Sequence, residues 1–308
     1  MPGRPLRRTG LRRPEPDDGA ARAKAGASQA FKVIAAVAAN LALFSALLYF
    51  FGLVYTQQFF GYFRVHYTVL DQTAEEILAR GAFGLHLPIG AAAGIGLVLF
   101  AVVRLARFLL PDRIRARLAR FGPPVSTIAG LALVGVTVPD VLGGDLFDLY
   151  AGVPGLAFAA GVVLAVVGWR RWVPGTHAPA FLVAEWITTY LLVAFGLFWA
   201  VSDYSAQVGV REAFTTAARI SALPAVTVYS ERSLSLEADG VRQVVCGQPE
   251  AAYQYRYTGL KLLLQSGGQY VFVTARWRAS NGVSFVVPRS DALRLEFAPP
   301  GAKPSGTC

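Results

Sequence analysis

Few residues in this chain combine a reactive side chain with an unusual setting. Glu185 is an acid inside the apolar run from about residue 178 to 201, with Thr188 and Thr189 one helical turn further on. A carboxylate at the centre of a membrane helix costs about 2.5–3.5 kcal/mol on insertion scales. Glu185 is therefore a proton or cation site, as a small channel or transporter would use, the partner of a buried polar group, or an inner-boundary carboxylate answered by Arg170 or Arg171. The chain has two cysteines, Cys246 and Cys308. Paired, they would close a loop of about 60 residues and stabilise it by about 4 kcal/mol in the chain-entropy model. An unpaired or intermolecular thiol is the alternative.

Other reactive constellations are not found. The three histidines, His66, His86 and His177, are scattered and none falls in the last hundred residues. That denies a Ser/His/Asp triad to the C-terminal region. There is no HExxH, no zinc-spaced His/Cys set and no phosphate-cradling Gly-rich loop after a strand. The sequence reading is of no catalytic residue, no cofactor and no metal, hence not an enzyme.

The elements that must position these residues are mostly apolar. Of 308 residues 54% are hydrophobic and only 16% charged, while the net charge is +10. A soluble domain carries roughly 25% charged residues. A membrane-spanning helix needs about 20 apolar residues, and five runs supply them, at about 33–55, 83–103, 125–143, 151–169 and 178–201. The third is the weakest because Pro139 and Asp140 fall near its end. Charge then gives the direction. The segments up to Lys32, from Arg104 to Arg120, and at Arg170 and Arg171 hold sixteen basic residues and four acids, whereas the two short intervening loops hold only Arg64 and Arg80 as basic residues. Under the positive-inside rule the N-terminus is cytoplasmic and five spans carry the C-terminal region out of the cell, across the plasma membrane. The basic balance thus reads as orientation, with no nucleic-acid partner and the lipid bilayer as the evident one.

Residues 1–28, rich in Arg, Pro, Gly and Ala, read as a disordered cytoplasmic tail, and 29–203 as the five-span bundle. Gly90-Ala-Ala-Ala-Gly94 has small-xxx-small spacing, which serves close helix packing within the bundle or between copies. Just beyond the first span an aromatic cluster, Phe59, Phe60, Tyr62, Phe63 and Tyr67, suits the headgroup boundary or a lid against the C-terminal domain. Thr73 and Glu76 have capping-box spacing and predict a short surface helix through Ala79.

Residues 204–308 form an extracytoplasmic helix plus β domain. The helical pattern of the fifth span continues through 204–220, and Pro224 ends it. Six short strands follow, at 226–229, 241–246, 253–265, 269–276, 283–287 and 293–297. Tyr253, Tyr255 and Tyr257 alternate with polar residues, and Ser266-Gly267-Gly268 marks a hairpin turn. The expected fold class is a membrane α-helical bundle of about five transmembrane helices followed by a small antiparallel β-rich extracytoplasmic domain.

Three stretches, Phe60-Gly-Tyr-Phe63, Phe198-Trp-Ala through Asp203-Tyr, and Tyr255-Arg-Tyr-Thr-Gly-Leu through Ser266-Gly-Gly, set in this element order, carry a resemblance. The chain resembles uncharacterised multi-pass membrane proteins of high-GC Gram-positive bacteria, the actinobacteria, with a C-terminal extracytoplasmic domain. The resemblance implies a plasma-membrane protein and no particular activity. The expectation is a non-enzymatic integral membrane protein whose outer β domain binds an envelope protein or ligand, or senses envelope conditions. The alternative is a small channel or transporter using Glu185.

Overall fold

A computed structural model describes residues 18–109, 111–141, 151–173, 179–247 and 251–302. Five α-helices are found among them: α1 (Asp18–Tyr62), α2 (Ala74–Leu109), α3 (Asp112–Val141), α4 (Val153–Trp172) and α5 (Pro179–Ala218). Six strands follow: β1 (Ala225–Ser230), β2 (Arg242–Val245), β3 (Tyr255–Ser266), β4 (Gln269–Thr274), β5 (Ser284–Pro288) and β6 (Leu293–Ala298). Each helix carries a stretch long and apolar enough to cross a membrane, at Ala30–Tyr62, Pro88–Ala106, Asp112–Asp140, Val153–Trp172 and Phe181–Ala218. The molecule is a membrane helical bundle followed by an antiparallel sheet. By contacts it divides into Met1–Phe44, which contributes the first part of α1, and Ser45–Cys308, which holds the remainder.

Several helices run further than the sequence suggests. α1 starts at Asp18, inside the segment expected to be a tail; Ala20, Ala21, Ala23, Ala25 and Ala27 give that stretch high helix propensity. Residues 1–17 lie outside the described residues. At its other end α1 continues past Tyr55 to Tyr62, so Phe59, Phe60 and Tyr62 are helical. The short surface helix expected at 73–79 is instead the first part of α2, which continues to Leu109 with Pro88 inside it. No proline falls between Thr73 and Leu87, so nothing ends the helix at Ala79. Gly81 and Gly84 there serve close packing: a Cβ at Gly81 would strike the Leu48 carbonyl of α1, and one at Gly84 the Phe51 ring. α3, which holds the third span as far as Val141, is helical through Pro123, Pro124 and Pro139. Its 30 residues reach about 45 Å at 1.5 Å per residue. Ser126 and Thr127 donate their hydroxyls to the Pro123 carbonyl at 2.9 and 3.0 Å.

Small residues bring α3, α4 and α5 together. A Cβ at Gly161 of α4 would stand 2.9 Å from the Gly130 carbonyl oxygen of α3, and one at Gly155 would stand 2.6 Å from the Gly196 carbonyl oxygen of α5. Close backbone approach of this kind drives association in lipid, where no hydrophobic difference favours one apolar surface over another. By contrast, a Cβ at Gly90 or Gly94 would meet nothing within 4 Å among the described residues, so the close packing expected of them within the bundle is not seen there. Where α4 begins, the Gly152 N–H donates to Asp203 Oδ2 of α5 at 2.6 Å. A carboxylate at a helix N-terminus satisfies an orphan donor and faces the positive end of the dipole.

The strand order is β5-β4-β3-β1-β6, with β2 also paired to β3, every pairing antiparallel. β3 is the spine: β1 takes one of its edges, and β2 and then β4 take the other in succession. The Gly-Gly turn is present as expected, with φ of +53° at Gly267 and +75° at Gly268, the left-handed values a two-residue hairpin loop requires. One face of the sheet buries Val226, Val228, Tyr257, Leu260, Phe272 and Val287 under Leu234 and Leu236 of the β1–β2 connection. The other contributes Val271, Val273 and Trp277 to a core shared with the helices.

Candidate functional site

The aromatic residues singled out beyond the first span lie at the junction between helices and sheet. Phe59 and Phe60 at the end of α1, with Phe63, Val65 and Leu70 of the α1–α2 connection, pack on Ala213 of α5, on Ile220, and on Val271, Val273 and Trp277 of the β domain. Phe60, Phe63 and Leu70 are fully buried. The rings interlock: Phe63 to Trp277 is 4.8 Å between centroids, Tyr62 to Trp277 is 5.7 Å, and Phe59 meets Phe60 edge-on at 5.1 Å. Such pairs add about 0.5–1.5 kcal/mol beyond the area they bury. Tyr67 is half-buried and stacks on His66 at 5.1 Å. Of the two readings, headgroup anchor and contact with the C-terminal domain, the geometry displays the contact.

Directional hydrogen bonds lock this core in register. Arg64 sits at φ +61° and donates Nη2 to the Ala279 carbonyl at 2.8 Å and to that of Ser280 at 3.2 Å. The Ser284 hydroxyl donates to the Phe63 carbonyl at 2.7 Å. At the hairpin tip, the Ser266 hydroxyl donates to Glu76 Oε2 at 2.5 Å. Gln72 lies 3.0 Å from the same hydroxyl and, with its amide oxygen towards Arg80, accepts from both guanidinium terminal nitrogens at 3.2 Å. Arg80 also reaches the buried Thr56 hydroxyl at 3.5 Å. Burial pushes the Arg80 guanidinium below its ordinary value, opposed by Tyr55 and Glu76. Gly267 closes the fit: a Cβ there would run into the carbonyl oxygens of Leu70 and Asp71.

Glu185 lies elsewhere, where α4 and α5 meet near their sequence-adjacent ends. Arg170 Nε donates to Glu185 Oε1 at 2.9 Å, and the guanidinium stands 4.4 Å over the Trp186 ring. Thr189 turns its hydroxyl back to the Glu185 carbonyl at 2.7 Å, whereas Thr188 faces outward. Trp186 flanks the pair, Trp169 lines the same cavity and Trp172 meets Trp169 edge-on at 6.2 Å; all three are half or more exposed, as expected of residues at a membrane–water boundary. A cavity of about 520 Å³ adjoins it, lined by Thr127, Leu131, Arg170, Phe181 and Glu185 among others. Glu185 is thus paired with Arg170.

Cys246 is buried at the end of β2, where its N–H donates to the Gln254 carbonyl at 2.8 Å. Cys308 lies outside the described residues. No group of three or more His, Cys, Asp or Glu among the described residues is placed to hold a metal.

No family model, curated protein or solved structure matches this chain. The geometry alone carries the functional argument. Sequence reasoning missed Arg64, Gln72, Arg80, Trp277 and Ser284. Two other residues of the junction did carry local signals, Glu76 through the capping box and Gly267 through the hairpin turn, and neither signal names a distant contact.

Proposed function

We propose that this is a non-enzymatic integral protein of the plasma membrane whose β domain is a binding or sensing module coupled mechanically to the helices. The basic segments are proposed to face the cytoplasm and the β domain the extracytoplasmic side, as the charge distribution favours. The observation that carries the coupling is the junction itself. α5 continues from its apolar stretch to Ala218 without a break, and the sheet is clasped to the α1–α2 connection through Arg64, Ser266, Gly267 and Ser284. A domain on a flexible tether needs none of these contacts. An event at the sheet would reach α1, α2 and α5 together.

The pairing of Glu185 with Arg170 at a tryptophan-lined boundary supports a structural role for that carboxylate, so the transporter alternative is not adopted. The test is photo-crosslinking in intact cells from Val245 on β2 and Phe297 on β6, both exposed apolar positions. A discrete adduct, together with a phenotype change on deleting residues 222–308, is expected. No adduct from either position, with a deletion that changes nothing, overturns the proposal.

A further inference from the structure

Between β1 and β3 the register slips: Val226 faces Leu260 but Val228 faces Tyr257, so Thr258 and Gly259 together stand opposite Thr227. Bulges of this kind re-aim side chains and recur beside functional sites. Gly259 adopts φ +87° and Gly240, in the turn before β2, φ +83°. A Cβ at Gly259 would collide with the Gly240 carbonyl oxygen. The pair of glycines therefore lets that turn close over the bulge, and a cavity of about 640 Å³ results. This is the size of a small-molecule site, typically about 300–1,000 Å³ with a few placed polar groups.

The lining is mixed, about half apolar, and its charged groups are mainly positive. Thr227, Thr258 and Lys261 contribute, with Arg242, Arg276 and Asp239 towards solvent. Three cations against one carboxylate leave a net +2. Lys261 is only 4% exposed. Its ammonium donates to the Leu223 carbonyl and makes no ion pair among the described residues. A buried ammonium without a counter-ion is costly, and one carbonyl uses only one of its three donors. Burial accordingly pushes the Lys261 amine below its ordinary value.

We propose that this cavity is the ligand site of the β domain and that its ligand presents a phosphate or carboxylate oxyanion to Lys261, Arg242 and Arg276. The proposal rests on the reading of the β domain as a binding module and names the chemistry of what it binds. The shared recognition feature is the oxyanion, carried by a soluble anion or by a phospholipid headgroup.

The test is calorimetric titration of the full-length protein in neutral phosphatidylcholine nanodiscs with inorganic phosphate, citrate and glycerophosphoglycerol. At least one should bind saturably. The double variant Arg242→Ala/Arg276→Ala should weaken it tenfold or more, as should Lys261→Met, whereas Arg289→Ala, an exposed arginine outside the cavity, should not. Binding of phosphate or citrate assigns a soluble anion, and binding of glycerophosphoglycerol alone assigns a headgroup. If Lys261→Met fails to fold, the arginine double variant decides. No binding in the millimolar range, or binding indifferent to the cavity variants, overturns the proposal. If the titrations fail while crosslinking from Val245 or Phe297 persists, the cavity assignment falls and the binding-module reading stands.

Discussion

Glu76 and Ser266 are 190 positions apart in the chain, yet the Ser266 hydroxyl donates to Glu76 Oε2 at 2.5 Å. The Glu76 backbone N–H donates to the Thr73 hydroxyl at 3.3 Å, so the first turn of α2 is capped by Thr73 as the sequence signals. The carboxylate, which a capping box would fold back onto the cap N–H, is turned to the hairpin instead. One residue thereby starts a helix and receives the sheet.

The hairpin tip gives a sharp contrast between two neighbouring glycines. Gly267→Ala meets both an unfavourable positive φ and the carbonyl oxygens of Leu70 and Asp71, whereas Gly268→Ala meets the positive φ with open space around it. Backbone strain alone costs about 1 kcal/mol. Gly267→Ala should therefore lower the melting temperature clearly more than Gly268→Ala and speed amide exchange at residues 63–72. Equal shifts would contradict the docked turn.

Much of this architecture is legible locally. The apolar runs reveal the spans, and alternation with a Gly-Gly turn reveals the strands, because both signals repeat within a few residues. Arg64 shows why the junction is not legible. Its partners are two backbone carbonyls more than 200 positions away, and a carbonyl has no residue type. The aromatic cluster poses the same difficulty, since Phe59 and Phe63 suit a headgroup boundary or a protein core equally well. Glu185 was legible as a charge in need of a partner, and Arg170 at 2.9 Å is one of the two partners the sequence offers.

For the Arg170–Glu185 pair, Glu185→Gln and Arg170→Gln should each lower thermal stability in nanodiscs. The double variant should lose less than the sum, because removing both partners leaves no unmatched charge. Proteoliposomes of the parent protein should show no ion flux. Flux abolished by Glu185→Gln would restore the transporter reading.

The sequence places both cysteines on the oxidising side of the proposed topology. Non-reducing mass spectrometry of protein from intact membranes should find Cys246 and Cys308 in one disulfide-linked peptide. Reduction should then accelerate exchange around β2. Recovery of two free thiols would contradict the bridge.

Lys261 should leave a signature in the pH dependence of stability. Its folded-state pKa is depressed by burial, whereas the unfolded amine titrates at the ordinary 10.5. Between the two values the unfolded chain binds more protons, so stability rises with pH; below both, the burial penalty is fully present. Unfolding curves compared with Lys261→Met should converge as the pH rises towards 10.5 if the parent is the less stable at neutral pH. Curves that stay parallel would show that the ammonium carries no such penalty.

The central claim, that the sheet is fixed on the helices and not tethered to them, is tested most directly by a distance. Nitroxide-bearing amino acids placed at Phe214 on α5 and Phe297 on β6, both exposed, allow pulsed dipolar spectroscopy of the full-length protein in nanodiscs. A single narrow distance distribution is expected, broadening when Arg64→Ala and Gly267→Val are introduced together. A broad distribution in the parent protein, unchanged by those substitutions, would contradict it.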